Sequence, residues 1–116
     1  MKALALVLVL GLAAPLADAR PPSRMQVTSS EFEFVLSRGK LRQGRAIVQL
    51  ANLGEDPHDL ALRRNARSAR TYTTPAVLPG GERSISLRLY PGRYQLWCTI
   101  ADHRARGMRA TLIVTK

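Results

Sequence analysis

The chain has 116 residues, a length that provides one domain with a modest hydrophobic core and excludes a second domain. Its 18 basic residues against 8 acidic ones give a formal net charge of +10, and most of the basic residues are arginine. Such a surface attracts acidic proteins, anionic lipid headgroups or nucleic acid, and charge alone does not choose among them.

The N-terminus has the composition of an export signal. Lys2 precedes an apolar run over residues 3–12, and Ala17-Asp18-Ala19 has the small-x-small pattern that a signal peptidase cuts. The run is shorter than the roughly 20 residues that span a bilayer, which argues against an uncleaved membrane anchor. We therefore expect residues 1–19 to be a secretory signal peptide. Residues 20–116 are then a single periplasmic or secreted domain without a stable membrane anchor.

Alternating apolar and polar residues predict strands through the rest of the chain. The clearest runs cover residues 32–36, 46–50, 85–89 and 109–115. Helical spacing of apolar residues is not sustained, and turn-forming residues recur at close intervals, which is typical of an all-β sandwich or barrel. Residues 65–78 lack a regular pattern and predict a long basic connection.

The single cysteine, Cys98, cannot form an internal disulfide. In an oxidising compartment it is an intermolecular partner, an inert buried side chain, or a thiol occupied by a metal. The neighbouring residues favour the metal, because four residues separate Cys98 from His103 and four more separate His103 from Met108. A cysteine and two histidines with a weak axial methionine form the ligand set of blue-copper sites. The only other histidine is His58.

The side-chain parity of the predicted strands is compatible with such a site. Residues two apart on a strand share a face, so His58, Cys98 and Met108 point with core side chains, whereas Trp97 faces outward. Taken singly, each residue has a simpler interpretation: a hydrogen-bonded histidine, a small buried thiol or a core methionine. The conjunction of the only cysteine, both histidines and the last methionine favours a metal site with ligands His58, Cys98, His103 and Met108.

Three segments together resemble the cupredoxin family over about residues 25–114. They are Asn52-x-Gly54-x-x-x-His58, Leu78-Pro79-Gly80-Gly81, and Pro91-Gly92-x-Tyr94-x-x-x-Cys98-x-x-x-x-His103-x-x-x-Gly107-Met108. The resemblance implies a Greek-key β-sandwich of about seven to eight strands, with one type 1 copper ion at one end. It also implies a monomeric one-electron carrier that exchanges electrons with redox partner proteins. The basic surface of this chain would suit partners with an acidic docking surface.

Two residues depart from the pattern of that family. Ala101-Asp102 stands where many members have Pro-Gly, and Asp59 stands where many have asparagine. We expect Asp59 to meet Thr99 and so to keep the contact between the two ligand-bearing segments in altered form.

Other functions are weaker interpretations of the same residues. A copper carrier or storage protein would use the same ligands without redox cycling. The interpretation as a metal-free domain that binds nucleic acid is based on charge alone. The sequence lacks the set of aromatic residues expected for binding single strands. An enzyme is the least favoured, since no Ser-His pair is free of the expected ligands.

Overall fold

A computed structural model of the chain describes residues 1–13 and 20–116. Residues 1–13 are exposed and form no regular secondary structure. The expected cleavage motif, Ala17-Asp18-Ala19, lies outside the described residues, so the signal peptide stays a prediction. Among the described residues, no helix has the length and apolar character needed to cross a membrane.

Strands make up the described domain, and they form two sheets. The strands of the described residues are β1 (Ser23–Ser30), β2 (Glu33–Leu36), β3 (Lys40–Arg42), β4 (Gly44–Asn52), β5 (Ala61–Arg64), β6 (Thr71–Thr73), β7 (Glu82–Leu89), β8 (Gly92–Trp97) and β9 (Arg109–Thr115). One sheet has four strands in the order β2-β1-β4-β7, and the other has five in the order β3-β9-β8-β5-β6. The all-β sandwich expected from the sequence is confirmed.

The core lies between the two sheets and follows the alternation seen in the sequence. In β4, every second residue from Gly44 to Asn52 is buried. Val48 and Leu50 from this strand meet Leu62, Leu96 and Leu112 from the opposite sheet in one hydrophobic cluster. Because one face of each sheet is buried, this cluster fixes the register of the strands, including β8 and β9, which flank residues 98–108.

The prediction of an irregular connection over residues 65–78 is wrong in part. Residues 71–73 form β6, which pairs with the edge of β5, and Val77 forms an isolated bridge with His58. A three-residue strand is too short to show alternation in the sequence, although threonine and tyrosine both favour strands. These additional pairings hold the His58 segment against the five-stranded sheet.

Candidate metal centre

Three side chains with metal-binding atoms converge at one end of the sandwich. His58, Cys98 and His103 each offer a ligand atom, and these atoms lie within 4.8 Å of one another. The two Nδ1 atoms are 3.3 Å apart, and Cys98 Sγ lies 3.7 Å from His103 Nδ1. The three residues are at most 7% exposed. The structure therefore brings together three of the four side chains singled out by the sequence, in a pocket closed to bulk water.

The fourth residue, Met108, is attached to the same cluster through its backbone. Its N–H donates to the His103 carbonyl over 3.1 Å, and its carbonyl accepts from the Cys98 N–H, also over 3.1 Å. The Met108 side chain is fully buried. These bonds close residues 98–108 into a loop, so Cys98 and Met108 face each other where β8 ends and β9 begins. The role of Met108 as a ligand stays a prediction.

Tight turns shape the loop between Cys98 and Met108. Ala101 has a φ of 45° and Gly107 a φ of 126°. A Cβ atom at Gly107 would lie 2.9 Å from the carbonyl oxygen of Phe32, so only glycine fits there. The His103 ring is covered by the Phe32 ring at a centroid distance of 4.9 Å. The Arg106 guanidinium in turn lies 3.9 Å from the centre of that ring.

Glu31, in the turn between β1 and β2, holds the outer nitrogen of His58. Its Oε1 lies 3.1 Å from His58 Nε2 and accepts the backbone N–H groups of Glu55 over 2.8 Å and Asp56 over 2.7 Å. These donors, that of Asp56 foremost, keep the pKa of Glu31 below its ordinary value. Because a carboxylate only accepts hydrogen bonds, His58 Nε2 carries the proton and Nδ1 is left with a free lone pair.

The contact between Glu31 and His58 was missed by the sequence analysis, because it joins residues far apart in the chain. The one residue in the sequence that could have indicated this contact is Gly54. A Cβ atom on Gly54 would lie 2.6 Å from Glu31 Oε1, so this glycine leaves room for the carboxylate. That role can be recognised only once the structure shows that the β1–β2 turn packs on the loop that precedes His58.

Asn52, at the start of the same segment, holds the loop that leads to His58. Its side-chain NH₂ donates to the carbonyls of Asp56 and Val77, each over 2.8 Å, and its Oδ1 accepts the Gly54 N–H over 2.9 Å. Asn52 is fully buried. One amide side chain therefore fixes the loop that delivers His58 to the site.

The expected contact between Asp59 and Thr99 is confirmed. Asp59 Oδ1 accepts the backbone N–H of Thr99 over 2.6 Å, and Oδ2 accepts the Thr99 hydroxyl. The pair ties the residue after His58 to the residue after Cys98. Burial raises the pKa of the Cys98 thiol, and the backbone N–H groups of Asp59 and Ile100 offset part of that increase. A cation beside the sulfur would therefore stabilise the thiolate form at this buried position.

Comparisons with known proteins support the architecture. No family model matches the sequence, and no curated protein is significantly similar to it. Among solved structures, auracyanin A, described as a "blue" copper protein from the green thermophilic photosynthetic bacterium Chloroflexus aurantiacus, is 13% identical with a TM-score of 0.66, over 82% of this chain and 100% of its own. A reduced Cu(I) form of an amicyanin mutant is 17% identical with a TM-score of 0.58, over 87% of both chains.

A multicopper oxidase is also similar, at 15% identity and a TM-score of 0.61, over 83% of this chain and 46% of the oxidase. At these identities the likeness concerns the fold. Together with the two mixed sheets and the placement of the site between β8 and β9, it shows that this chain has the cupredoxin fold.

Proposed function

We propose that this protein is an exported one-electron carrier that binds a single type 1 copper ion through His58, Cys98, His103 and Met108. The observation that carries the proposal is the convergence of two imidazoles and one thiol within 4.8 Å in a buried pocket. Two imidazole nitrogens, a thiolate and a weak thioether suit copper in both of its common oxidation states. The donor set therefore fits the metal.

When bound, copper supplies a one-electron couple, and the protein's own residues supply a site that needs little rearrangement. Glu31 holds the His58 ring with its Nδ1 directed to the site. The Asp59 carboxylate fixes the backbone of Thr99, next to Cys98. Phe32 covers the His103 ring. Because these contacts join protein groups to one another, they would also hold the proposed ligand side chains in place in the metal-free protein.

The arrangement favours an electron carrier over an oxidase. Cys98, His58 and Met108 are at most 1% exposed, so the side chains themselves fill the space where a substrate would have to approach the metal. Two of the similar structures, a blue copper protein and a reduced Cu(I) form of an amicyanin mutant, are in keeping with a redox role for that architecture. The apolar run after Lys2 supports export.

Copper titration tests the proposal. Addition of Cu(II) to the purified protein is expected to give one equivalent of intense thiolate-to-copper absorption and a type 1 paramagnetic resonance spectrum. Cys98→Ser should abolish the absorption, and Met108→Leu should alter the resonance parameters. Met25→Leu is the matched control, because Met25 is a buried methionine in β1, where it pairs with Val48 of β4, and it is not one of the proposed ligands.

Redox cycling separates the carrier from a copper-delivery protein. An electron carrier is expected to be reduced and reoxidised repeatedly with its copper retained. Release of Cu(I) to a chelator of moderate affinity on each reduction would instead identify a copper-delivery protein. Absence of the absorption band, or its persistence in Cys98→Ser, would refute the copper site.

A further inference from the structure

We infer that the outer face of the five-stranded sheet is the docking surface for an acidic partner protein, with Trp97 as the point of electron entry or exit. The inference rests on the proposed function. The strands of this sheet contain six basic residues and no acidic residue. The four-stranded sheet, by contrast, mixes four arginines with two glutamates. Arg64 pairs with the buried Tyr94 and so belongs to the inner face by register. The basic residues on the outer face are Lys40, Arg42, Arg63, Arg93 and Arg109.

The strand register places the basic side chains around Trp97. Trp97 in β8 pairs with Arg109 in β9, and Gln95, on the same face of β8, pairs with Arg63 in β5. The Arg104 guanidinium, from the loop after Cys98, lies 4.8 Å from the centre of the Trp97 ring. Trp97 is half-buried, and the three arginines are exposed. An open groove lined by Arg63, Arg104 and Trp97 results.

This groove is directly connected to the proposed metal site. Trp97 is bonded through one peptide unit to Cys98, whose side chain turns to the opposite, buried face of the chain. A partner seated over the groove would therefore be separated from the site only by the Trp97 ring and the Cys98 residue. The same arginines that surround the ring would accelerate the encounter with a negatively charged partner.

The chemistry of the groove favours an acidic protein over a nucleic acid. Sequence-tolerant binding of single strands relies on several aromatic rings with free faces. Here one ring faces the groove, and Arg104 already lies over it. Carboxylates on a protein surface instead match the spaced guanidinium groups, which pair with them through bidentate hydrogen bonds.

The test uses poly-L-glutamate as the probe and follows the amide and indole signals of the ¹⁵N-labelled protein at low salt, in both metal-free and copper-loaded forms. Shifts are expected at Trp97 and at its arginine neighbours and should disappear at high salt. Two triple variants change the net charge equally. The groove variant is Arg63→Glu with Arg104→Glu and Arg109→Glu, and the control variant is Arg24→Glu with Arg83→Glu and Arg88→Glu on the four-stranded sheet.

The groove variant is expected to lose affinity for poly-L-glutamate about tenfold and to react about tenfold more slowly with ferricyanide, whereas the control variant loses about twofold or less. Equal losses in both variants would overturn the inference, because net charge alone would then explain binding. Tighter binding of a DNA oligonucleotide or of phosphatidylglycerol vesicles on the same face would overturn it as well. Binding of poly-L-glutamate to the metal-free protein does not depend on copper. If the shifts still map to the groove but the protein gives no copper spectrum, the proposed function is refuted and the docking surface is supported.

Discussion

Glu31 links the proposed ligand His58 to the loop that carries it. Its carboxylate accepts the His58 Nε2 proton and two backbone N–H groups of that loop. A negative charge behind an imidazole strengthens its donor nitrogen and so favours Cu(II) over Cu(I). We therefore expect the reduction potential of the proposed copper site to depend on Glu31, which is not one of the proposed ligands.

Replacing Glu31 should raise the reduction potential. If Glu31→Ala weakens Cu(II) binding about tenfold relative to Cu(I), the potential rises by about 59 mV. Glu31→Gln keeps an acceptor oxygen without the charge and should give a smaller increase. Voltammetry measures both, with Glu33→Gln, an exposed carboxylate on β2, as the control. In the metal-free protein, ¹⁵N shifts of His58 should show the proton on Nε2 in the wild type. A potential as insensitive to Glu31→Ala as to the control would contradict this role.

The contact between Thr99 and Asp59 makes a second prediction for a single residue. Thr99→Val removes the hydroxyl that donates to Asp59 and keeps the shape of the side chain. The loss of a hydrogen bond to a carboxylate should reduce the free energy of unfolding by about 1–3 kcal/mol, measured by urea denaturation of the metal-free protein. Thr111→Val, at an exposed position in β9, is the control. Equal effects of the two substitutions would rule out this contribution.

At the scale of elements, the loop over residues 98–108 depends on one glycine. Gly107 has a φ of 126°, and an added Cβ atom would approach the Phe32 carbonyl oxygen to 2.9 Å. Gly107→Ala should destabilise the protein by about 1–3 kcal/mol and distort the copper spectrum through His103. Gly39→Ala is the matched control, because a Cβ atom there meets nothing within 4 Å. Equal unfolding midpoints for both variants would contradict the argument.

The loop and the sandwich were accessible from the sequence to different degrees. The spacing of Cys98, His103 and Met108 indicated the ligand loop because it is a local pattern. Strand alternation indicated the core for the same reason. Glu31 and the bridge between His58 and Val77 depend on how distant segments pack, and a three-residue strand such as β6 carries no periodicity. These features required the three-dimensional structure.

At the scale of the whole molecule, the site joins three segments that are distant in sequence: the turn with Glu31 and Phe32, the segment with His58, and the loop over residues 98–108. A metal that binds only the folded state stabilises it by about 4 kcal/mol when its free concentration is 1,000 times the dissociation constant. We therefore expect copper to raise the melting temperature. The metal-free protein should still unfold cooperatively, because the hydrophobic core extends well beyond the site. Calorimetry with and without copper measures the difference, and an unchanged melting temperature would contradict tight binding to the folded state.

The contacts of Phe32 with His103 and Arg106 have a consequence for the kinetics of metal loading. Since the Phe32 ring lies against the His103 ring and the Arg106 guanidinium lies over the Phe32 ring, an ion that approached His103 from this side would meet a positive charge and then an apolar ring before it reached a donor atom. We expect entry of the ion to await rotation of the Phe32 side chain. The protein would then take up copper slowly and also release it slowly, and the rate of both steps would depend on the movement of the Phe32 ring.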